Sequence, residues 1–214
     1  FSQVRAELAP ALTQAQQLLE LANAAQDPLL LSRAHNALGA TLFWQGNLLA
    51  AKQHYEDSSA IYDPSLTLSA DCVHNPGVIS LSSLSVIFAY CGDVTQAHRR
   101  ATEALTLIQQ HEHDYSLALA RCHIAAMHQV SRDFSATQEM ATTAMALATE
   151  KGFPYCLACS TIQYGWARAM QTRGREGIEQ LSQGIAAYQA TGAAFWQAYF
   201  LSLLAEAQLV AGQT

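Results

Sequence analysis

Apolar residues recur every three or four positions in successive segments of the chain, which predicts a series of amphipathic helices. Glycines and polar residues separate these segments, and their spacing is regular. From Gly92, forward steps of 40 residues reach Arg132, Thr172 and Gly212, and a backward step of 46 residues reaches Gly46. Each of these five anchor positions ends one predicted helix.

The residues around the anchors are also alike. Small residues stand seven positions before the anchors, at Gly39, Ser85, Ala125, Gly165 and Ala205. Large residues stand eight positions before them, at Leu38, Leu84, Ile124, Tyr164 and Leu204. Such a ladder with a period near 40 residues is typical of helical hairpins stacked into a solenoid.

We therefore predict an all-α fold, a right-handed superhelical solenoid of antiparallel hairpins, forming one domain over residues 1–214. Pro10 is expected to mark the beginning or a kink of the first helix. The segment from Ser65 to Asn75 lacks periodicity, and long loops of this kind often carry function, so Asp71, Cys72, His74 and Asn75 are noted. The predicted hairpins span about 28–63, 76–111, 115–151 and 154–191, with flanking helices at 4–24 and 194–211.

Composition narrows the class of protein. Half of the residues are hydrophobic and 13% are charged, which favours a packed fold over disorder. The net charge is -6, and Lys52 and Lys151 are the two lysines, so nucleic acid is not an expected partner. No apolar run is long enough to span a membrane and no signal peptide is evident. The five cysteines favour a reducing compartment, so we expect a cytoplasmic location.

No catalytic motif is found, and we expect neither an enzyme nor a cofactor or metal site. Cys156 and Cys159 form a CxxC pair, but the pair lies in a helical pattern without a second pair at zinc-site spacing, so helix packing is the favoured interpretation. His111 and His113, with Asp114, could bind a metal from one turn, but the spacing specifies no further ligand, so a polar hairpin tip is the favoured interpretation. The chain begins at Phe1 without a methionine, which suggests a piece of a longer protein.

The first complete repeat resembles a tetratricopeptide repeat, on the spacing of Leu38, Gly39, Leu42, Ala51, Tyr55 and Ser58. A resemblance over almost the whole chain is to the C-terminal repeat region of bacterial signalling ATPases that carry an adenylate/guanylate cyclase-like domain. It rests on the segments 35–44, 61–64, 75–78, 148–154, 191–193 and 205–207. The resemblance implies a sensing or partner-recruiting region, with catalysis located upstream.

In tetratricopeptide arrays the first helix of each hairpin lines a concave groove, so the resemblance implies a binding surface at the corresponding positions. The candidate ligand- or partner-binding residues are Arg33, Asn36, Trp44, Tyr90, His123, Trp166 and Tyr199. Aromatic anchors with a few polar groups suit a peptide or an internal segment of the parent protein. The alternative for Trp44, Tyr90 and Trp166 is packing between hairpins.

The predicted function is thus a non-catalytic regulatory scaffold of a bacterial signalling protein that binds a protein or peptide. One alternative is a small-molecule sensor, which a closed apolar pocket would favour. A second is self-association through the last helix, where no following hairpin covers four apolar residues, Phe195, Trp196, Phe200 and Leu204.

Overall fold

The computed structural model describes residues 5–63, 73–110 and 113–212, and within them all regular structure is helical. The all-α prediction is confirmed, and α1 begins close to Pro10 as expected. The described residues form ten helices: α1 Leu8–Ala25, α2 Pro28–Trp44, α3 Leu48–Ile61, α4 Pro76–Tyr90, α5 Val94–Gln109, α6 Asp114–Val130, α7 Phe134–Lys151, α8 Pro154–Thr172, α9 Arg175–Ala190 and α10 Gln197–Val210.

Polar side chains begin several of these helices where the sequence places them. The side chains that accept hydrogen bonds from first-turn backbone N–H groups belong to Asp27, Asn47, Asn75, Asp93 and Asp133. These bonds satisfy donors that a helix leaves unpaired at its N-terminus. Three helices also open on proline, whose fixed φ suits the first helical position: α2, α4 and α8.

Most residues at the repeat anchors share one backbone conformation. Gly46, Gly92 and Gly212 adopt positive φ angles of 78°, 79° and 70°, the left-handed conformation that ends a helix most easily with glycine. Arg132 adopts the same region at 61°. In the fourth repeat α8 ends at Thr172, as predicted, and the left-handed residue is the next one, Arg173, at 53°.

We expect Arg173→Gly to raise the free energy of unfolding by up to about 1 kcal/mol, because glycine has no Cβ to clash in the left-handed region. Arg173→Ala should give no such gain, since alanine retains the Cβ. Urea denaturation of the two variants beside the original protein measures the difference, and equal stability of the two variants would contradict the explanation.

The helices of a hairpin run antiparallel, and small residues set their separation. A Cβ on Gly184 would approach Ile162 of α8, whereas one on Gly177 would approach Ala169. Residues late in α9 therefore lie beside residues early in α8, which means that the two helices are antiparallel. In α2 and α3, Ser32 faces Ser58 and Gly39 faces Tyr55, which gives the same antiparallel direction.

The chain divides into two compact units, Phe1–Ala120 and Arg121–Thr214. In the first, α2 packs against α1, α3 and α4, and α4 is buried over nearly its whole length. In the second, α8 packs against α7, α9 and α10. The single domain over residues 1–214 stays a prediction.

The last helix is less open than the sequence suggested. Phe200 stacks on Trp196 and meets Tyr188 edge-on, and both Phe200 and Trp196 are buried within the second unit. The expectation that these two side chains are uncovered is therefore wrong, because residues of α9 and α10 cover them. None of the described helices has the length and apolar character needed to cross a lipid bilayer.

Candidate functional site

Three aromatic side chains meet where α2 and α4 end, and we call Phe43, Trp44 and Tyr90 the aromatic cluster. The ring of Phe43 meets Trp44 edge-on at 4.8 Å and lies 6.2 Å from Tyr90. Trp44 is half-buried and Tyr90 is 41% exposed. The cluster thus brings together two of the predicted binding residues and leaves part of their surface in contact with solvent.

Arg33 and Asn36 lie earlier on α2, beside the residues that open α4. Arg33 is exposed, whereas Asn36 is buried and donates a hydrogen bond of 2.9 Å to Ser80 Oγ. The ring of His74 lies 3.3 Å from Asn36 Oδ1. Burial, with the nearby charges of Arg33 and His113, lowers the pKa of His74 to about 4, so this ring is neutral near pH 7. Asn36 therefore holds two helices together in the first unit.

In the second unit, Trp166 and Tyr199 each form a hydrogen bond with a polar side chain of another helix. Trp166 is fully buried and its indole Nε1 donates to Glu206 Oε2 at 2.8 Å. Tyr199 donates its hydroxyl to Gln129 Oε1 at 3.1 Å. His123 lies half-buried on α6. The geometry of Trp166 favours the packing alternative for this residue.

A group that the sequence analysis did not select lies between α2 and α3. His35, His54 and Asp57, which we call the His–Asp cluster, have potential ligand atoms within 4.8 Å of one another. The two histidine Nδ1 atoms are 3.0 Å apart, and His35 Nδ1 is 3.6 Å from Asp57 Oδ2. The side chain of His35 is 16% exposed and that of Asp57 is 37% exposed, so the cluster faces water on one side.

Neighbouring bonds hold the His–Asp cluster in place. Gln53 Nε2 donates to Asp57 Oδ1 at 2.9 Å, which leaves Oδ2 directed towards His35. Ser32 and Ser58 exchange hydroxyl-to-carbonyl hydrogen bonds of 2.8 and 2.7 Å between the same two helices. Burial, followed by the charge of His35, lowers the pKa of His54, although Asp57 opposes the shift. His54 therefore favours its neutral form.

The sequence contained a signal for this cluster. His54 and Asp57 are three residues apart, which places both on one face of a helix. The small residues Ser32 and Ser58 mark where α2 and α3 approach closely, and His35 lies one turn after Ser32 just as His54 lies one turn before Ser58. Antiparallel pairing brings these positions together, but its register had to be known first.

The CxxC pair lies within α8, as the packing interpretation predicted. Cys156 and Cys159 are buried free thiols, as is Cys122 of α6. Burial and the neighbouring Cys156 raise the pKa of Cys159 well above its usual range, which disfavours a reactive thiolate. His113 accepts hydrogen bonds from Ser116, whereas Asp71, Cys72 and His111 lie outside the described residues.

A cleft in the first unit has a volume of about 530 Å³. Its lining mixes charged and apolar side chains, among them Glu56, Arg100, Glu103 and Leu107. Arg100 donates to Glu103 at 2.9 Å, and Glu56 lies 3.8 Å from the ammonium group of Lys52. This lining differs from the closed apolar pocket that a small-molecule sensor would favour.

In comparison with known proteins, no family model and no curated protein matches this chain.

Proposed function

We propose that this chain is a non-catalytic protein-interaction scaffold whose hairpins continue as a right-handed, tetratricopeptide-like solenoid. Two features of the described helices support this architecture. Left-handed residues recur at the repeat anchors, and small residues recur where helices of a hairpin approach. Repeats of this kind bury their apolar faces against neighbouring hairpins and present extended surfaces to partners.

The observation that carries the proposed function is the partial exposure of the aromatic cluster. Large aromatic side chains are usually mostly buried, yet Tyr90 is 41% exposed beside a half-buried Trp44. Aromatic residues held on packed helices lose little side-chain freedom on binding and dominate many protein interfaces. The two residues end α2 and α4, which pack against each other, so their relative positions are fixed before a partner arrives.

The partner that fits this surface is an extended or helical peptide segment with apolar anchor residues. Exposed Arg33 favours an acidic residue in the same partner. The resemblance to bacterial signalling ATPases makes upstream segments of the parent protein candidate partners and supports the proposal of a cytoplasmic location. The net charge of -6 disfavours nucleic acid.

We expect Trp44→Ala and Tyr90→Ala each to weaken peptide binding by about 30-fold or more, because truncating an interface anchor commonly removes this much affinity. Peptides are selected from a random display library on the unmodified protein. Their dissociation constants are then measured by fluorescence anisotropy against the protein and both variants, each checked for unchanged circular dichroism.

Leu201→Ala is the matched control, because Leu201 is an exposed apolar residue in the second unit. The control should bind the selected peptides with the affinity of the original protein. Peptides that bind the Trp44→Ala variant as tightly as the original protein, or a library that yields no binder, would rule out this surface as the interaction site.

A further inference from the structure

We propose that the His–Asp cluster binds a divalent transition-metal ion, with Zn²⁺ as the ion that fits best. Imidazole and carboxylate groups suit zinc, and three protein ligands with one open position are a common zinc arrangement. This inference departs from the sequence-based expectation of no metal site. It is independent of the proposed peptide surface.

The distances support a tetrahedral ion. Zinc bonds of about 2.0–2.2 Å place neighbouring ligand atoms roughly 3.3–3.6 Å apart in a tetrahedron. The histidine Nδ1 atoms are 3.0 Å apart, and His35 Nδ1 is 3.6 Å from Asp57 Oδ2. The first distance is slightly shorter than this range and the second lies at its upper end, so small side-chain rotations bring three ligands to an ion. The partial exposure of Asp57 leaves the fourth position to water.

Hydrogen bonds around the His–Asp cluster hold its ligand groups and their helices in position. Metal-binding carboxylates are usually oriented by a second hydrogen bond, and Gln53 supplies one to Asp57 Oδ1 at 2.9 Å. The Ser32–Ser58 bonds fix α2 against α3 next to the ligands, and Ser80 of α4 donates to Ser58 Oγ at 2.8 Å. The ligands therefore lie on helices whose separation is already set.

A proton shared between the two imidazoles explains the short nitrogen–nitrogen distance equally well in the metal-free protein. The two states are compatible, because zinc takes the place of that proton between the two Nδ1 atoms and the proton is released to solvent. Protons compete with a metal ion for the same imidazole nitrogen atoms. Binding should therefore weaken as the solution is acidified.

The experiment is a titration of the 214-residue chain with Co²⁺, followed by competition with Zn²⁺. We expect about one ion per chain and the visible absorption of four-coordinate cobalt, without the near-ultraviolet charge-transfer band of thiolate ligands. His54→Gln and Asp57→Asn should each weaken binding by more than about 100-fold, and Gln53→Ala by about 10- to 100-fold.

His98→Gln is the matched control, because His98 is an exposed histidine on α5. It should leave the cobalt spectrum and affinity unchanged. Zinc should also raise the unfolding temperature of the original protein but not that of the Asp57→Asn variant. The proposal is overturned if the original protein binds no ion, if a thiolate band develops, or if the His54→Gln and Asp57→Asn variants bind as tightly as the original.

Discussion

Replacing Trp166 by alanine should lower the free energy of unfolding by about 4 kcal/mol, within the range for removing a buried tryptophan. The side chain is fully buried in α8 and packs edge-on against Phe134 at 5.3 Å. Its indole Nε1 also donates to Glu206 at 2.8 Å, and the guanidinium of Arg132 lies 5.5 Å from the ring. Alanine leaves a cavity that these neighbours only partly fill.

Trp166→Phe separates the contribution of ring packing from that of the indole hydrogen bond, because it keeps an aromatic ring and removes the indole donor. We expect this variant to lose about 1 to 2 kcal/mol, since Glu206 retains its ion pair with Arg132. Unfolding by urea, followed by far-ultraviolet circular dichroism, measures both changes. An alanine variant as stable as the original protein would mean that Trp166 is not the core residue described here.

For Trp166, the sequence predicted the position along the repeat but not the burial of the side chain. By the repeat spacing, Trp166 of α8 and Glu206 of α10 occupy equivalent positions, and in the structure the two side chains contact each other. Spacing alone could not establish whether the side chains line an open surface or close against each other. That outcome depends on side-chain size and rotamer, and in the second unit the large indole fills the space between the helices.

The helices themselves were predictable because their signals are local. Polar capping residues such as Asp27 and Asp93 precede apolar segments of helical period, and both act as caps in the structure. The left-handed turn at Gly92 was predictable for the same reason. In the fourth repeat, where no glycine marks the turn, α8 ends at Thr172 as predicted, but nothing in the sequence indicated that Arg173 would adopt the left-handed conformation.

The His–Asp cluster was not predictable by the same means. Its members come from two helices, and their proximity depends on the register of antiparallel packing, which a shift of a single turn would change. In the structure that register is set by Ser32, Ser58 and the contact of Gly39 with Tyr55. A search for histidine and carboxylate at matched distances from such small-residue pairs would have found the cluster.

The second large effect should come from Gly165→Val, which we expect to lower the free energy of unfolding by about 3 kcal/mol. A Cβ on Gly165 would lie 2.5 Å from the backbone nitrogen of Leu181 and 2.9 Å from the carbonyl oxygen of Gly177. These obstacles belong to the backbone of α9, so no side-chain rotation relieves them. The two helices must separate or the variant must lose stability.

Gly165→Ala tests whether a single added Cβ lowers or raises the free energy of unfolding. In a helix interior alanine is more favourable than glycine by about 1 kcal/mol, so overlap with α9 must exceed that gain for the variant to be less stable. Gly174→Ala is the control, because its new Cβ would lie 2.9 Å from the hydroxyl of Thr172, a side-chain atom that can rotate away. We expect the control to lose no more than about 1 kcal/mol, the value of the Thr172 hydrogen bond it disturbs. If Gly165→Ala proves more stable than the original protein, α8 and α9 are not as close as this packing requires, and the small residues of the repeat would need another explanation.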